Sequence, residues 1–361
     1  MIYSDLFKDV TKFAKKLPTS DYQEKGKHPI IDQGQKQIAG YTDIEEGLFT
    51  DVPAIIFGDH TRVIKHIDVP FFIGADGVKV IKCKEEQANY NYLFYLLSSV
   101  RIPNTGYNRH YKWLKEARLV EHTKEEQEKI VAVLSTIDNI LDLYSAQLNK
   151  LDELIKSRFL EMFGDIGTNS KGWLLSPLEE VAEIHIGPFG SLLHKEDYVC
   201  NCHALVNPSH IVDGKIKTDE KLTINNEKYQ EMSAYHLQKD DIVLGRRGEM
   251  GRCAVVEQEG LLCGTGSMII RPNGKIIPYF LQTILSSPLY KRILEDKAVG
   301  VTMLNLNVPI VSSITIPLLP IELQDRFIEL LQSVEKQKAT VQQSIDKLET
   351  LKQSLMQEYF G

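Results

Sequence analysis

The chain has 361 residues, 43% of them hydrophobic and 25% charged, and its formal net charge is −7 at pH 7. No apolar run reaches the ~18 residues that a membrane-spanning helix needs, and the start MIYSDLFKDV has no apolar core of a secretory signal. These properties argue against a membrane or secreted protein, and we expect a soluble protein of the cytoplasm.

The first globular segment, residues 1–122, is predicted to be a mixed α/β domain. Short apolar runs such as AIIFG at 54–58 and GVKVI at 77–81 predict strands, because residues that favour turns lie around them. The segment is long enough to hold a hydrophobic core of its own.

Residues 123–165 are the first of two predicted long helices. Thr123 and Glu126 have the spacing of a capping box, and Gly164 suits the position just past a helix end. At 1.5 Å per residue such a helix is roughly 55–60 Å long, which favours a spacer packed on a partner helix. Its apolar side chains recur at steps of three and four residues, as one face of a helix requires: Ile130, Val133, Ile137, Ile140, Tyr144, Leu151 and Leu154.

The second globular segment, residues 166–319, follows the first in the order of its elements. IVLGRR at 242–247 corresponds to IIFGDH at 55–60, and LCGTGSMII at 262–270 corresponds to FIGADGVKVI at 72–81. Two domains with a common order of elements and different side chains are therefore expected.

Residues 320–361 are the second predicted long helix, and they repeat the first. One constant shift places Gln127 on Gln324 and the ending EMFG at 161–164 on the ending EYFG at 358–361, without a gap. A shared helical period alone does not produce matching residues at both ends, so the chain is interpreted as a duplicated unit. The expected fold is α+β, with two domains joined by two long antiparallel, coiled-coil-like helices in a pseudo-twofold internal repeat.

Charge and cysteine content bear on possible partners. The two helical segments carry nearly all of the net negative charge, and the globular segments are close to neutral. Since much of nucleic-acid affinity is electrostatic, a DNA-binding role predicts that a partner supplies part of the phosphate contacts. The five cysteines form no CxxC pair, and CNCH at 200–203 lacks a second ligand pair, so no metal site is predicted.

Several segments in combination resemble the specificity (S) subunit of a type I restriction–modification system, over essentially the whole chain. They are the helices EEQEKI…EMFGD and ELQDRF…QEYFG, with IHIGPFGSLLHKEDY at 184–198, LVNPSHI at 205–211, DDIVLGRRGEMGRCAVV at 240–256 and LCGTGSMIIRP at 262–272. The resemblance implies two target-recognition domains on an antiparallel helix pair, each reading one half of a split double-stranded DNA sequence. It also implies contact with methyltransferase (M) subunits, which hold S-adenosylmethionine, and with restriction (R) subunits. No cofactor is expected on this chain. The first domain lacks the GPFGS and GRRG runs and is expected to be of a different type.

Candidate DNA-contacting residues are polar side chains in predicted loops, since Arg pairs with guanine and Asn or Gln with adenine. In the second domain they are Ser191, His194, Arg246, Arg247, Glu249, Thr265 and Ser267. In the first domain they are Gln33, Gln35, Lys36, Gln37, Asp59, His60, Arg62, Asn108, Arg109, His110 and Lys112. The alternatives stay open: the arginines pair with Glu249 or with solvent, and the first-domain cluster is a solvated loop.

No catalytic motif is found in the sequence. NPSH at 207–210 lacks the second proline and the aromatic residue of an amino-methylase motif, and there is no GxGxxG after a strand, phosphate-binding lysine loop or HExxH. Catalysis is therefore expected on other chains. Two other functions stay open: a coiled-coil scaffold joining two protein-binding domains without nucleic acid, and a self-contained DNA-modifying enzyme, against which the missing motifs argue.

Overall fold

The computed structural model describes residues 2–74, 76–106, 108–189, 192–300 and 304–361. The chain divides into two compact units. The first unit comprises Met1–Gln147 and Thr340–Gly361, and the second comprises Leu148–Ala339. Each unit therefore contains one globular segment and one part of each long helix.

The first unit is built on two sheets. The main sheet is antiparallel in the order β1-β7-β4-β5, and a smaller sheet has the order β3-β2-β6, with β2 parallel to β6. The strands are β1 (Phe7–Asp9), β2 (His28–Ile31), β3 (Gly40–Thr42), β4 (Ala54–Gly58), β5 (Ile64–Ile67), β6 (Phe72–Ile73) and β7 (Val78–Cys83), and the helices before the first long helix are α1 (Tyr3–Leu6), α2 (Tyr90–Ser98) and α3 (Tyr111–Lys115).

Strand β4 lies inside the core of the first unit, with every residue buried. Ile55 and Phe57 pack in one cluster with Leu93 of α2, whereas Ile56 packs in a second cluster with Val80. Successive side chains of a strand point to opposite faces. The unbroken apolar run AIIFG therefore reflects a strand that is covered on both faces.

The second unit contains strands β8 to β19 and helices α5 to α8. The strands are β8 (Leu174–Pro177), β9 (Ala182–Ile186), β10 (Tyr198–Val199), β11 (His203–Val206), β12 (Ile211–Val212), β13 (Lys215–Ile216), β14 (Thr223–Ile224), β15 (Ile242–Gly245), β16 (Cys253–Val255), β17 (Leu262–Cys263), β18 (Ser267–Pro272) and β19 (Thr315–Leu318). The helices are α5 (Asn226–Glu231), α6 (Pro278–Leu285), α7 (Pro288–Lys297) and α8 (Val308–Ser312).

The two units share a topology. The antiparallel sheet β9-β18-β15-β16 of the second unit repeats the order β1-β7-β4-β5 of the first. Strand β11 pairs in parallel with β17, as β2 does with β6. In β15, Ile242 and Leu244 join one core cluster and Val243 joins another, as in β4. Few side chains are kept, but the apolar pattern that places them in the sheet is kept.

The long helices are α4 (Lys124–Phe163) and α9 (Ile321–Phe360), 40 residues each. In the first unit the beginning of α4 packs on the end of α9: Ile130 shares a core cluster with Phe360, and Asp138 forms an ion pair with Lys352. Residue numbers rise on one helix as they fall on the other, so these helix segments are antiparallel. Within the described ranges, none of the helices combines the length and the apolar composition of a membrane span.

In the second unit the end of α4 packs on the beginning of α9 in the same antiparallel sense. Phe163 contacts Phe327 at 5.4 Å between ring centroids. About three turns away along both helices, Lys338 Nζ donates to Asp152 Oδ1 at 2.9 Å. Each unit therefore holds both helices through its own apolar and ionic contacts.

The capping box predicted for α4 is formed. Thr123 N donates to Glu126 Oε2 at 2.7 Å, and Glu126 N donates to Thr123 Oγ1 at 3.3 Å. The bonds from Thr123 hold the pKa of Glu126 below its usual range. Gly164 follows the helix with φ of +74°, the left-handed conformation that ends many helices.

Residues that the sequence repeats make equivalent contacts. Gln127 Nε2 donates to His122 O at 3.0 Å, and Gln324 Nε2 donates to Leu319 O at 2.8 Å. At the other end of each helix, Phe163 packs on Phe280 and Phe360 packs on Tyr92, with ring centroids 5.0 and 5.8 Å apart. The phenylalanine in each copy of the repeated ending is therefore a docking residue. Through it the last turn of each long helix packs on a globular segment.

Candidate nucleic-acid interface

Three loops meet at one end of the main sheet of the first unit. Asp59 N, in the turn after β4, donates to Gly77 O at 2.6 Å, just before β7. His60 N donates to Gln33 Oε1 at 3.2 Å, and Gln33 Nε2 donates to Asp76 O at 2.9 Å. Gln33, which follows β2, therefore links the loops that carry the predicted residues Asp59 and His60.

The segment before α3 adds a fourth loop to this cluster. His110 N donates to Asp59 O at 2.8 Å, and Tyr111 N donates to Asp59 Oδ1 at 2.7 Å. The carbonyl oxygen of Asn108 lies 3.2 Å from Nδ1 of His60. Asp59 and His110 are only 3% and 0% exposed, so their side chains lie inside the cluster, whereas Asn108 is exposed.

The other first-domain candidates differ in exposure. Gln37 is exposed, and its Nε2 donates to His66 O at 2.8 Å. Arg62 is partly buried, and its Nη1 donates to Ile102 O at 3.4 Å, toward the segment after α2. The candidates that are exposed besides Asn108 and Gln37 are Gln35, Lys36, Arg109 and Lys112.

Lys65 is a supporting residue that the sequence did not single out. Its side chain is 2% exposed, and Nζ donates to Asp32 O at 2.8 Å and to Lys36 O at 2.6 Å. Burial lowers the pKa of Lys65, and the Asp32 carboxylate partly offsets that shift. Lys65 thereby fixes the loop that carries Gln35 and Gln37. The only signal in the sequence is a charged residue inside the apolar strand IKHI.

In the second unit the corresponding end of the sheet carries the turn after β15. Arg246 N donates to Gly266 O at 3.0 Å, and Leu306 N donates to Arg246 O at 3.0 Å. The Arg246 side chain is 6% exposed, and its Nε donates to Thr265 O at 3.2 Å. Arg246 therefore joins three loops, as Asp59 does in the first unit.

Gly187, the first residue of the GPFGS run, lies against the GTG turn. Gly187 N donates to Ser267 O at 3.0 Å. A Cβ on Gly187 would clash with Gly264 O, and one on Gly264 would clash with the side chain of Asn207, so glycine permits the close approach of these loops. Thr265 is partly buried. Ser267 is fully buried, and within the described part of the chain its hydroxyl has no hydrogen-bond partner.

Arg247 and Glu249 are exposed on this surface. The Glu249 carboxylate pairs with Arg252 and, at 3.2 Å, with Lys291, and these cations hold the pKa of Glu249 below its usual range. Among the described residues no acidic side chain pairs with Arg247. Burial, with a smaller effect of the neighbouring Arg247 charge, lowers the pKa of Arg246. Glu249 therefore pairs with Arg252 and Lys291, and its carboxylate does not pair with Arg246 or Arg247.

The remaining second-domain candidates are His194 and Ser191. His194 is exposed, and its N donates to Asp197 Oδ2 at 2.6 Å. Ser191 lies outside the described residues. Cys200 and Cys202 are free and exposed, and the described ranges contain no group of three or more His, Cys, Asp and Glu side chains that could hold a metal ion.

Comparison with known families defines the class of protein. The family described as the type I restriction modification DNA specificity domain matches residues 170–350, half of the chain. The chain therefore belongs to this family.

Individual relatives are distant. The chain is 24% identical over 158 residues to the specificity subunit of the type I restriction enzyme EcoR124I/EcoR124II of Escherichia coli. The aligned stretch covers 42% of this chain and 39% of that protein. It is 22% identical over 251 residues to the MjaVIII specificity subunit of Methanocaldococcus jannaschii, covering 64% of this chain and 58% of that protein. The match therefore spans less than two thirds of either relative.

The crystal structure of the type I S subunit from M. genitalium has a similar fold, with a TM-score of 0.63 at 17% identity over 100% of this chain and 95% of that chain.

Proposed function

We propose that this chain is the specificity subunit of a type I restriction–modification assembly, in which each domain reads one half of a bipartite double-stranded DNA target. The observation that carries the proposal is the pair of loop clusters. They occupy the same end of two sheets with the same strand order, in a chain of the DNA specificity family. The long helices set the spacing of the half-sites and dock M subunits, and R subunits join the complex for restriction.

The exposed polar residues of the two clusters are the proposed DNA contacts. Arg247 offers a guanidinium suited to guanine, and Gln35, Gln37 and Asn108 offer amides suited to adenine. Contacts to phosphate and sugar set the position of a protein on the duplex without reading sequence. The further residues that we propose to contact DNA bases or the DNA backbone are Lys36, His60, Arg62, Arg109, Lys112, Ser191, His194, Glu249 and Thr265.

The chemistry is assigned to the partner subunits. We propose that the M subunits hold S-adenosylmethionine and methylate adenine, and that this chain is not catalytic. We also propose that the protein acts in the cytoplasm.

We also propose a pseudo-twofold relation between the two halves of the chain. The equivalent bonds of Gln127 and Gln324 and the equivalent packing of Phe163 and Phe360 support it. A chain that repeats itself in this way presents equivalent partner surfaces twice.

The proposal predicts a strong dependence of DNA binding on the partner and on salt. The globular segments are near neutral, so the isolated chain should bind DNA weakly at physiological salt, and the complex with M should bind tightly. Log affinity of the complex should fall steeply with log salt, because phosphate contacts of the partner release counterions. The measurement is fluorescence anisotropy with a duplex that carries the motif found by mapping methylation in cells that express both genes.

The outcomes separate the candidate functions. Tight, specific binding by the isolated chain would overturn the charge argument but not the specificity role. A stable complex with M that shows no preference for the mapped duplex over a scrambled one would overturn the specificity role and favour the scaffold.

A further inference from the structure

We propose that Asp59 and Arg246 are positioning residues of the two DNA-reading loop clusters, and that in the second unit Arg247, the next residue along the chain, makes the DNA contact. This inference rests on the proposed function and deepens it. It divides two adjacent arginines into one that shapes the reading surface and one that touches DNA.

The two positioning residues occupy the same place in the fold. Each follows a strand-ending glycine: Gly58 pairs with Val78, and Gly245 pairs with Ser267, in sheets of the same order. The backbone N–H of Asp59 and of Arg246 donates to the residue before the neighbouring strand, at 2.6 and 3.0 Å. Their backbone carbonyls accept from a third loop, at 2.8 and 3.0 Å. Both residues therefore sit where three loops join.

The side chains perform the same task with opposite charges. The Asp59 carboxylate accepts from Tyr111 N at 2.7 Å, and the Arg246 Nε donates to Thr265 O at 3.2 Å. In each case a buried polar group bonds to the backbone of a neighbouring loop. Burying such a group is costly unless it is hydrogen-bonded, so these bonds offset the cost of burying a carboxylate in one unit and a guanidinium in the other.

Burial separates these residues from the DNA surface. Asp59 is 3% exposed and Arg246 is 6% exposed. A carboxylate on a DNA-facing surface would also meet phosphates of the same charge, a conflict that the burial of Asp59 removes. Arg247 is exposed, and its charge is not neutralised by Glu249, which pairs with Arg252 and Lys291.

The test compares variants of the two arginines in the assembled complex with M, on the duplex with the mapped motif. Arg247→Ala should weaken binding about 5- to 150-fold, the range of one bidentate base contact. Amide hydrogen exchange at residue 246, whose N–H donates to Gly266 O, and at Leu306, whose N–H donates to Arg246 O, should stay as in the wild type. Arg246→Ala should weaken binding and also speed exchange at those two amides, because the junction of the three loops loses a bond.

A conservative variant gives the sharper control. In Gln the Nε2 donor occupies the same place along the side chain as Nε of Arg, so Arg246→Gln keeps the donor to Thr265 O and removes the guanidinium. It should restore most of the affinity and the slow exchange that Arg246→Ala loses, whereas Arg247→Gln should not restore what Arg247→Ala loses. In the first unit, Asp59→Asn keeps an acceptor for Tyr111 N and should likewise rescue Asp59→Ala.

The inference is overturned if Arg246→Gln relaxes recognition of the same base as Arg247→Gln while exchange stays slow, since Arg246 would then read DNA. It is also overturned if Arg246→Ala leaves exchange unchanged. Failure of the proposed function looks different: the wild-type complex would show no sequence preference at all. The exchange comparison would still decide whether Arg246 holds the loops, and the assignment of Arg247 would fall.

Discussion

At the scale of single residues, His66 is a titratable group whose pKa is changed by burial in the first unit. Its ring is partly buried and stacks on Tyr90, with centroids 6.3 Å apart. Burial lowers the pKa of His66, and the nearby Asp68 carboxylate and a bond to Asn91 offset only part of the shift. The folded first unit therefore favours neutral His66.

This predicts a pH-dependent stability of the first unit. A histidine in the unfolded chain has a pKa of about 6.5. Below that pH the unfolded state therefore binds more protons than the folded state. The free energy of unfolding should fall as the pH drops below about 6.5, until the folded histidine is also protonated. Urea unfolding between pH 5 and 7.5, compared with His66→Gln, measures the effect. Equal pH slopes for the variant and the wild type would contradict it.

The residue scale is also where sequence reasoning is weakest. Arg246 and Arg247 are neighbours in a turn, and nothing local distinguishes them. Which of the two is buried depends on the loop around Thr265 and the segment around Leu306, both brought in by strand pairing far along the chain. The sequence therefore predicts a cluster of polar residues, whereas the tertiary fold decides which members face solvent.

At the scale of elements, the ends of the long helices carry a matched pair of docking residues. Phe163 is fully buried and Phe360 is 9% exposed. Truncation of a buried phenylalanine typically costs about 3–5 kcal/mol. Phe163→Ala should therefore destabilise the second unit by about that amount, and Phe360→Ala should destabilise the first unit by a similar or smaller amount.

The two tryptophans allow each unit to be followed separately. Trp113 belongs to the first unit, and Trp173, whose Nε1 donates to Phe163 O at 2.8 Å, belongs to the second. Urea unfolding followed by fluorescence in single-tryptophan backgrounds assigns each loss to a unit. Leu160→Ala is the control, since Leu160 is 57% exposed on the same helix end and should change stability by less than about 0.5 kcal/mol. Equal losses for Leu160→Ala and Phe163→Ala would contradict the docking role.

The helices could be predicted from sequence because their signals are local. The capping box, the apolar period and the glycine after Phe163 together indicate a helix over 123–165, and the observed helix is Lys124–Phe163. The division of each helix between two units could not be predicted. It depends on which globular segment each half contacts, and a uniform apolar stripe contains no information about its partner.

At the scale of the whole molecule, the shared strand order was only faintly visible in sequence. IIFGDH and IVLGRR preserve the strand and its final glycine, and the structure places them at the same position in their sheets. The side chains that follow these glycines differ, and they lie in loops beyond the strands. A constant frame with variable loops fits the proposed reading of two different half-sequences.

If the helices set the spacing of the half-sites, lengthening both should widen the gap and leave the half-sites unchanged. The two units divide α4 after Gln147 and α9 after Ala339, so a heptad inserted at each point leaves the contacts within each unit intact. Seven residues preserve the phase of the apolar seam and add about 10.5 Å. At about 3.4 Å per base pair, the gap should grow by at most roughly three base pairs.

A heptad in α4 alone is the matched control. It cannot preserve both the Asp138–Lys352 and the Asp152–Lys338 pairs, so it should assemble poorly or unfold at lower urea than the doubly extended chain. This comparison separates a change of length from a change of helix register.

The most direct measurement is a genome-wide map of methylated sites in cells that express the M partner with either the natural chain or the doubly extended chain. We predict a bipartite motif that requires this chain, and the same two half-sequences with a gap longer by one to three base pairs for the extended chain. A doubly extended chain that assembles and methylates with the original gap, or with altered half-sequences, would contradict the proposal that the two domains read DNA at a spacing set by the helices.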